Sequence, residues 1–427
     1  MKKLLYTIAS MLILVMSFSS CTGEAVDVEQ VNKQTILVFL PWSGSNSSNG
    51  LTYYLSNNLD SISQGIIDKK GLNNTRVMVF FSESAEKSTL YDLEYDAVNR
   101  NVNRIPIKTY NGATYNSAEG FADVLNTVKT NAEALNYALI IGGHGCGWTF
   151  ADDWLDYPNY AKPHFEDWSN SHSQYDEITT EGYSGIQFGS DPNLPITRFF
   201  GSVSKKDNSI DVTTLAEGIR QSGIKMQYIL FDACYMGNVE TAYELKDATN
   251  YLISSSSEIL AMGLPYRTLW SSLNSATPNY SSIVSSIISF YKNNNMPWIN
   301  MAAIDCRQMD DLASIMKEIN SKYKLDSTVP LDSIQPLDGF TPNLMYDLKV
   351  YIDSLCPTGY LKEQFSNQLK KAIKAEAHTE QVVSSLSGSV NRYYDIKSYC
   401  GLSTSDPSLH EVAIRGREKT GWWKATH

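Results

Sequence analysis

The stretch Tyr137–Trp148, YALIIGGHGCGW, runs an apolar block into a histidine that is flanked by glycines. A second stretch from Tyr228 to Gly237, YILFDACYMG, runs another apolar block into an acid and a cysteine. Short continuous apolar runs of this kind are typical of fully buried strands. What the chain can do depends on whether these two strand ends meet.

Around these stretches, apolar runs alternate with amphipathic segments. Strands are predicted at 35–42 and 75–81, with helices at 51–68, 117–135 and 211–223. Apolar strands separated by helices indicate an α/β fold, with a mostly parallel central sheet and helices on both faces. The loops after parallel strands share one edge of the sheet, so we expect His144 and Cys234 to meet there.

The remaining segments give weaker patterns. The runs at 88–96 and 104–110 predict a hairpin or edge pair, and 361–378 predicts a helix. The last eight residues, TGWWKATH at 420–427, predict strand and turn pieces. The polar, aromatic segment 148–207 is too long for a plain connection and predicts a lid or specificity loop.

Composition excludes several classes of function. The chain has 427 residues and a net charge of -11, so no nucleic-acid partner is expected. Five cysteines follow Cys21, which is too few for a disulfide framework, and no zinc spacing occurs. Asp152, Asp153 and Asp156 are acidic enough to attract Ca²⁺, but their spacing matches no calcium loop. We therefore expect no required cofactor and no metal site.

The N-terminus predicts export. Residues 1–21, MKKLLYTIASMLILVMSFSSC, combine a basic start, a short apolar core and small residues before Cys21. This resembles a bacterial lipoprotein signal, which implies lipidation of Cys21 and a tether over 22–34. The protein would then be anchored to the cell envelope, on the periplasmic or surface face of the outer membrane. The alternative is an ordinary signal peptide with an incidental cysteine.

A cysteine and a histidine at one sheet edge can form a nucleophile and its base. The imidazole would accept the proton of the Cys234 thiol, and a helix starting after Cys234 would favour the thiolate. The backbone N–H groups of Gly145 and Cys234 could bind a carbonyl oxygen as it becomes negative. From the residues alone, the alternatives stay open: Cys234 as a small core residue and His144 as a structural, hydrogen-bonded side chain.

The two stretches also resemble a family. His144, Gly145, Gly147 and Trp148, with Asp232, Ala233, Cys234, Met236, Gly237 and Glu240, are similar to the paired blocks of the clostripain family of cysteine peptidases. The resemblance implies a caspase-like three-layer sandwich over 35–325, with a C-terminal α/β extension over 326–427 packing on it. It also implies a peptide or protein substrate, a dyad of His144 and Cys234, and an S1 pocket in which Asp232 favours Arg or Lys at P1.

The chain departs from the family at AMGLPY, 261–266. Relatives commonly carry a second acid there, whereas this chain has Met262 and Leu264, so a basic P1 would rest on Asp232 alone and the preference would be moderate. Cys146 is either a bystander or a redox partner of Cys234. We expect a monomer. Two other functions stay open, a catalytically silent binding lipoprotein on the same fold and a thiol acyltransferase.

Overall fold

A nine-stranded sheet forms the centre of the computed structural model. The structure describes residues 32–43, 51–150, 152–153, 200–201, 209–296, 298–384 and 393–427. The predicted signal peptide, its Cys21, nearly all of the tether and most of the predicted lid lie outside these residues. The strands are β1 Gln34–Leu40, β2 Thr75–Ser84, β3 Lys87–Asp96, β4 Asn101–Asn111, β5 Tyr137–Gly142, β6 Phe200–Gly201, β7 Ser209–Ile210, β8 Met226–Asp232, β9 Thr249–Ser254, β10 Asn300–Asp305, β11 Tyr346–Asp347, β12 Ile373–His378, β13 Gln381–Val383, β14 Tyr393–Asp395 and β15 Ser403–Thr404.

The nine strands of the central sheet follow the order β12-β10-β9-β8-β5-β1-β2-β3-β4. The middle of this sheet is parallel, and the strands at both of its edges are antiparallel. Strands β2, β1, β5, β8 and β9 pair in parallel. The hairpin of β3 and β4 extends one side, as predicted for 88–110. On the other side, β10 and β12 each add antiparallel. The predicted mostly parallel α/β sheet is confirmed.

Helices cover both faces of the sheet. They are α1 Leu51–Asp68, α2 Ala118–Asn131, α3 Val212–Ser222, α4 Val239–Glu244, α5 Tyr266–Leu273, α6 Tyr280–Asn293, α7 Met309–Lys322, α8 Leu348–Leu355, α9 Tyr360–Ala372, α10 Glu411–Gly416 and α11 Gly421–Thr426. Alternate residues of β1 point into different cores: Leu37 packs with α2 and α3, and Val38 with α1, α5 and α6. None of the described helices combines the length and apolarity needed to cross a membrane.

Two local predictions near the C-terminus are corrected. The run predicted as one helix over 361–378 is α9 followed by β12, which pairs with β10. The run predicted as strand and turn over 420–427 is α11, whose first turn is capped by the hydroxyl of Thr420. In both cases tertiary contacts decide: β12 completes the sheet edge, and Trp422 is fully buried in the core.

Residues 32–427 form one compact unit, and its C-terminal part reaches the turn after β8. Ser403 N–H donates to Gly237 O at 3.0 Å. Glu240, at the start of α4, accepts the N–H and the hydroxyl of Ser405, both at 2.7 Å. The predicted division of this unit at residue 325 stays a prediction.

Candidate active site

The ends of β5 and β8 lie side by side in register. Gly142 pairs with Asp232, and Gly143 N–H donates to Asp232 O at 3.2 Å. His144 and Cys234 each follow two residues beyond this pair, so the parallel register carries both to the same edge. The pairing of β5 with β8 therefore brings together two residues that are far apart in the sequence.

Gly145 brings the two loops into backbone contact. A Cβ atom at this position would lie 2.8 Å from the Cys234 nitrogen and 2.9 Å from the Ala233 Cβ, closer than real Cβ atoms come. Only glycine therefore fits here without a shift of the turn that holds Cys234. The missing side chain also leaves the Cys234 N–H uncovered on this side.

A cavity of about 170 Å³ opens at this edge, and it collects the predicted functional residues. His144, Asp232 and Cys234 all line it, together with Glu258. Apolar side chains of α1 and of the segment after β12 form other parts of its wall; they are Leu51, Leu55 and Val383. A thiol, an imidazole and two carboxyl groups thus line one small cavity.

The thiol and the imidazole are both held in their neutral forms. Burial, followed by the nearby Glu258 carboxylate, raises the pKa of the Cys234 thiol. Burial lowers the pKa of His144 to about 4. In the free protein the proton therefore stays on sulfur near neutral pH, and the unprotonated imidazole can accept it.

The sulfur is positioned by the loop after β9. Ile259 N–H donates to Cys234 Sγ at 3.3 Å, and the thiol lies 3.6 Å from Ile259 O. The expected helix begins only at Val239, with Asn238 as its cap, and no contact joins its N-terminus to the sulfur in the described residues. The imidazole of His144 has no hydrogen bond or ion pair within the same described residues, so no third group orients it.

Asp232 lies in the cavity wall with one oxygen occupied. Asn58 Nδ2 at 3.2 Å, Leu264 N–H at 3.3 Å and Tyr266 Oη at 2.9 Å all donate to Oδ2. Despite these donors, burial raises the pKa of Asp232 to about 6. The carboxyl is therefore ionised above that pH and can accept a cation from the cavity.

The other predicted residues lie elsewhere. The side chains of Met262 and Leu264 are buried in the core beneath α1, while their neighbours Ala261 and Gly263 line the cavity. Cys146 is fully buried in a small apolar cluster with Trp148, against which Cys234 also packs. In the described residues, no group of three or more His, Cys, Asp or Glu side chains could hold a metal ion.

The sequence did not predict the residues that donate hydrogen bonds to Asp232, nor the second acid of the cavity, Glu258. Asn58 and Tyr266 come from two helices, and their hydrogen bonds to Asp232 depend on tertiary packing. Glu258 could have been predicted, because it is an acid within the otherwise uncharged run after β9 and that run lies at the same sheet edge as Cys234. Nothing in the sequence indicated the backbone conformation of Tyr235, whose left-handed φ of 62° turns the chain sharply after Cys234.

Comparison with known proteins gives consistent matches. A model of the clostripain family matches residues 189–405. A secreted C11 cysteine protease from Bacteroides thetaiotaomicron, iotapain, is 34% identical, with a TM-score of 0.77 over 93% of this chain and 99% of that one. A clostripain from the same organism, in complex with the peptide inhibitor BTN-VLTK-AOMK, is 39% identical over 54% of this chain and 99% of its own, with a TM-score of 0.51.

A more distant structure agrees in fold. An inactive zymogen C11 protease from Parabacteroides distasonis is 22% identical, with a TM-score of 0.71 over 92% of this chain and 98% of that one. No curated protein matches the chain significantly.

Proposed function

Since the chain belongs to the clostripain family and is a cysteine endopeptidase, we propose that Cys234 and His144 are its catalytic dyad and that it prefers Arg or Lys at P1. The observation that carries this proposal is the parallel register of β5 and β8. It supports a nucleophile and a base at one cavity, with the Asp232 carboxylate in the wall of the same cavity.

The chemistry begins from the neutral pair. The imidazole of His144 accepts the thiol proton as Cys234 Sγ attacks the scissile carbonyl carbon. The oxyanion receives hydrogen bonds from the N–H groups of Gly145 and Cys234. His144 then gives the proton to the leaving amine, and water, deprotonated by the same imidazole, hydrolyses the thioester.

The P1 preference follows from charge. Three donors hold Oδ2 of Asp232, which leaves Oδ1 as the acceptor for an Arg or Lys side chain entering the cavity. A charged hydrogen bond of this kind contributes about 1.5–3 kcal/mol. The inhibitor bound to the B. thetaiotaomicron clostripain contains the peptide sequence VLTK, which ends in a lysine. This lysine supports a preference for Arg or Lys at P1 in the present chain.

Export and anchoring complete the proposal. Iotapain is described as secreted, and the N-terminal 21 residues here support export followed by lipidation of Cys21. The matching test is mass spectrometry of the mature N-terminus. A lipid-modified Cys21 is expected, and an unmodified start at another residue would leave export but remove the anchor.

Profiling a peptide library with the purified mature chain tests the specificity. We expect cleavage after Arg and Lys above other residues, with hydrolysis rather than transfer when a competing amine is present. The Cys234→Ala variant supplies the blank. A profile that rejects Arg and Lys would contradict the role of Asp232, and transfer to the amine would indicate an acyltransferase.

A further inference from the structure

Residues 255–259, which follow β9, form a loop that holds the turn carrying Cys234. Every second residue of this 255–259 loop meets that turn. The carbonyl oxygens of Ser255 and Ser257 accept N–H groups of the turn at 2.7 and 3.0 Å, and Ile259 N–H donates to Cys234 Sγ at 3.3 Å. The position of the sulfur therefore depends on the conformation of this loop.

The side chain of Asn300 fixes the 255–259 loop from the neighbouring strand. Asn300 is the first residue of β10 and is fully buried. The antiparallel strands β9 and β10 are paired as far as Ser254 and Ala302, so Ser256 and Asn300 occupy the next opposite positions. There the side chain makes the bond instead of the backbone, because Ser256 N–H donates to Asn300 Oδ1 at 2.8 Å. The loop can thus leave the sheet and bend towards Cys234 while it stays attached to β10.

The carboxamide of Asn300 makes hydrogen bonds at both of its ends. Ser255 Oγ lies 3.1 Å from Oδ1, and Nδ2 donates to Ser257 Oγ at 2.6 Å. The Ser257 hydroxyl in turn donates to Leu337 O at 2.8 Å. Because a backbone N–H can only donate, the bond from Ser256 fixes which end of the amide is the oxygen. One side chain therefore holds three consecutive serines of the loop.

We propose that Asn300 is a positioning residue for Cys234, which acts by holding the 255–259 loop in the conformation that presents the Ile259 N–H to the sulfur. Asn300 is not among the described residues that line the cavity, so it acts through the loop and not on the substrate. Without its carboxamide, the buried Ser256 N–H loses its acceptor, which is costly where water is excluded. The loop then shifts, and the sulfur shifts with it. This inference rests on the proposed role of Cys234 as the nucleophile.

Steady-state cleavage of peptides by Asn300→Ala tests the proposal. We expect kcat to fall roughly 10- to 100-fold with little change in KM, because the Asp232 carboxyl in the cavity is held by donors from α1 and α5. Thr35→Ala is the matched control, since its buried hydroxyl donates to Ala132 O at 2.6 Å at the opposite end of the sheet. It should lose stability in thermal unfolding and keep its kcat.

Asn300→Asp separates positioning from a general loss of packing. The new carboxyl group has the shape of the carboxamide and, when protonated, offers one acceptor and one O–H donor in the same places. When ionised, it has no donor for Ser257 Oγ and adds a buried charge. The ratio of its kcat to that of the unmodified protein, taken at each pH, should approach one on the acid side. It should fall as the pH rises through the pKa of the new group, which burial raises above about 4. The ratio cancels the titration of His144 and Asp232, which both proteins share.

The outcomes for this inference and for the proposed function can be told apart. A folded Asn300→Ala that keeps its kcat, or an equal loss of kcat in Thr35→Ala, would overturn the positioning role. So would a kcat ratio of Asn300→Asp that stays equally low at every pH, and this variant carries the test if Asn300→Ala does not fold. Unchanged cleavage by Cys234→Ala would instead overturn the proposed function, on which this inference rests. A low kcat in Asn300→Ala, restored in Asn300→Asp as the pH falls, supports the proposal.

Discussion

The two strand ends that form the site lie in register, yet they are held in different ways. After β8, Tyr235 N–H and Gly237 N–H donate to Ser257 O and Ser255 O at 3.0 and 2.7 Å. After β5, by contrast, the His144 imidazole has no hydrogen bond within the described part of the chain. Cys234 is thus held by a network of backbone hydrogen bonds, and the His144 imidazole is placed by backbone position and packing. We infer that mutations near Cys234 act by displacing its sulfur, whereas the His144 imidazole can rotate when it gains or loses a proton.

The largest effect is expected when the proposed reactive side chain at either strand end is removed. Cys234→Ala and His144→Ala should each lower kcat/KM for peptide cleavage by roughly 10⁴-fold or more, and the double variant should lose little further, because the two groups act as a unit. Iodoacetamide should still modify Cys234 in His144→Ala. Near-normal cleavage by either variant would show that the dyad is assigned incorrectly.

The next effect concerns the contact between the two loops. Gly145→Ala places a methyl group 2.8 Å from the Cys234 nitrogen, so one oxyanion donor is covered or displaced. We expect kcat to fall by roughly 10²–10³-fold with little change in KM. Gly112→Ala is the control, since that glycine has a φ of 68° and open space around it. It should lose some stability but keep its kcat, and an unaffected kcat in Gly145→Ala would remove this glycine from the oxyanion site.

A third effect separates Asp232 from His144 by pH. With a neutral P1, kcat/KM should fall on the acid side near pH 4, where His144 becomes protonated. With Arg or Lys at P1, it should already fall near pH 6, where Asp232 loses its charge. Asp232→Asn should merge the two profiles and reduce the preference for basic P1 roughly ten- to hundredfold. Identical acid limbs in the unmodified enzyme would contradict the binding of the cation by Asp232.

The smallest effect tests the support of Asp232. Tyr266→Phe removes one of the donors to Oδ2, and the ionised form loses about 1 kcal/mol. The acid limb for basic P1 should therefore move upward by somewhat less than one pH unit. Tyr228→Phe is the matched control, because its hydroxyl donates to Leu273 O instead. An equal shift in both variants would point to a general change in the core.

The sequence predicted the parts of the site that follow from the course of the backbone. Continuous apolar strands indicated the parallel sheet, and parallel order alone was enough to bring His144 and Cys234 together. The N–H groups of Gly145 and Cys234 were likewise predicted to bind one carbonyl oxygen, and the structure brings Gly145 into close contact with Cys234.

The parts that the sequence did not predict depend on side chains that meet across the fold. Asn58 lies 174 residues from Asp232, and no local pattern signals that hydrogen bond. Glu258 was overlooked because a second acid was sought in AMGLPY, whereas it lies three residues before that segment. At 373–378, helix-forming residues were overridden by pairing with the sheet edge, since propensity is weaker than tertiary contacts.

The bond between Ser403 and Gly237 has a consequence for the order of events when the protein is made. The turn that carries Cys234 takes its partners from residues that leave the ribosome more than 160 positions later. Until they arrive, Gly237 O and the buried Glu240 side chain lack those donors, so the turn that carries Cys234 completes its hydrogen bonds only after nearly the whole chain has been made. A chain ending at residue 402 should accordingly show no cleavage of peptides, and full activity in such a chain would refute this order.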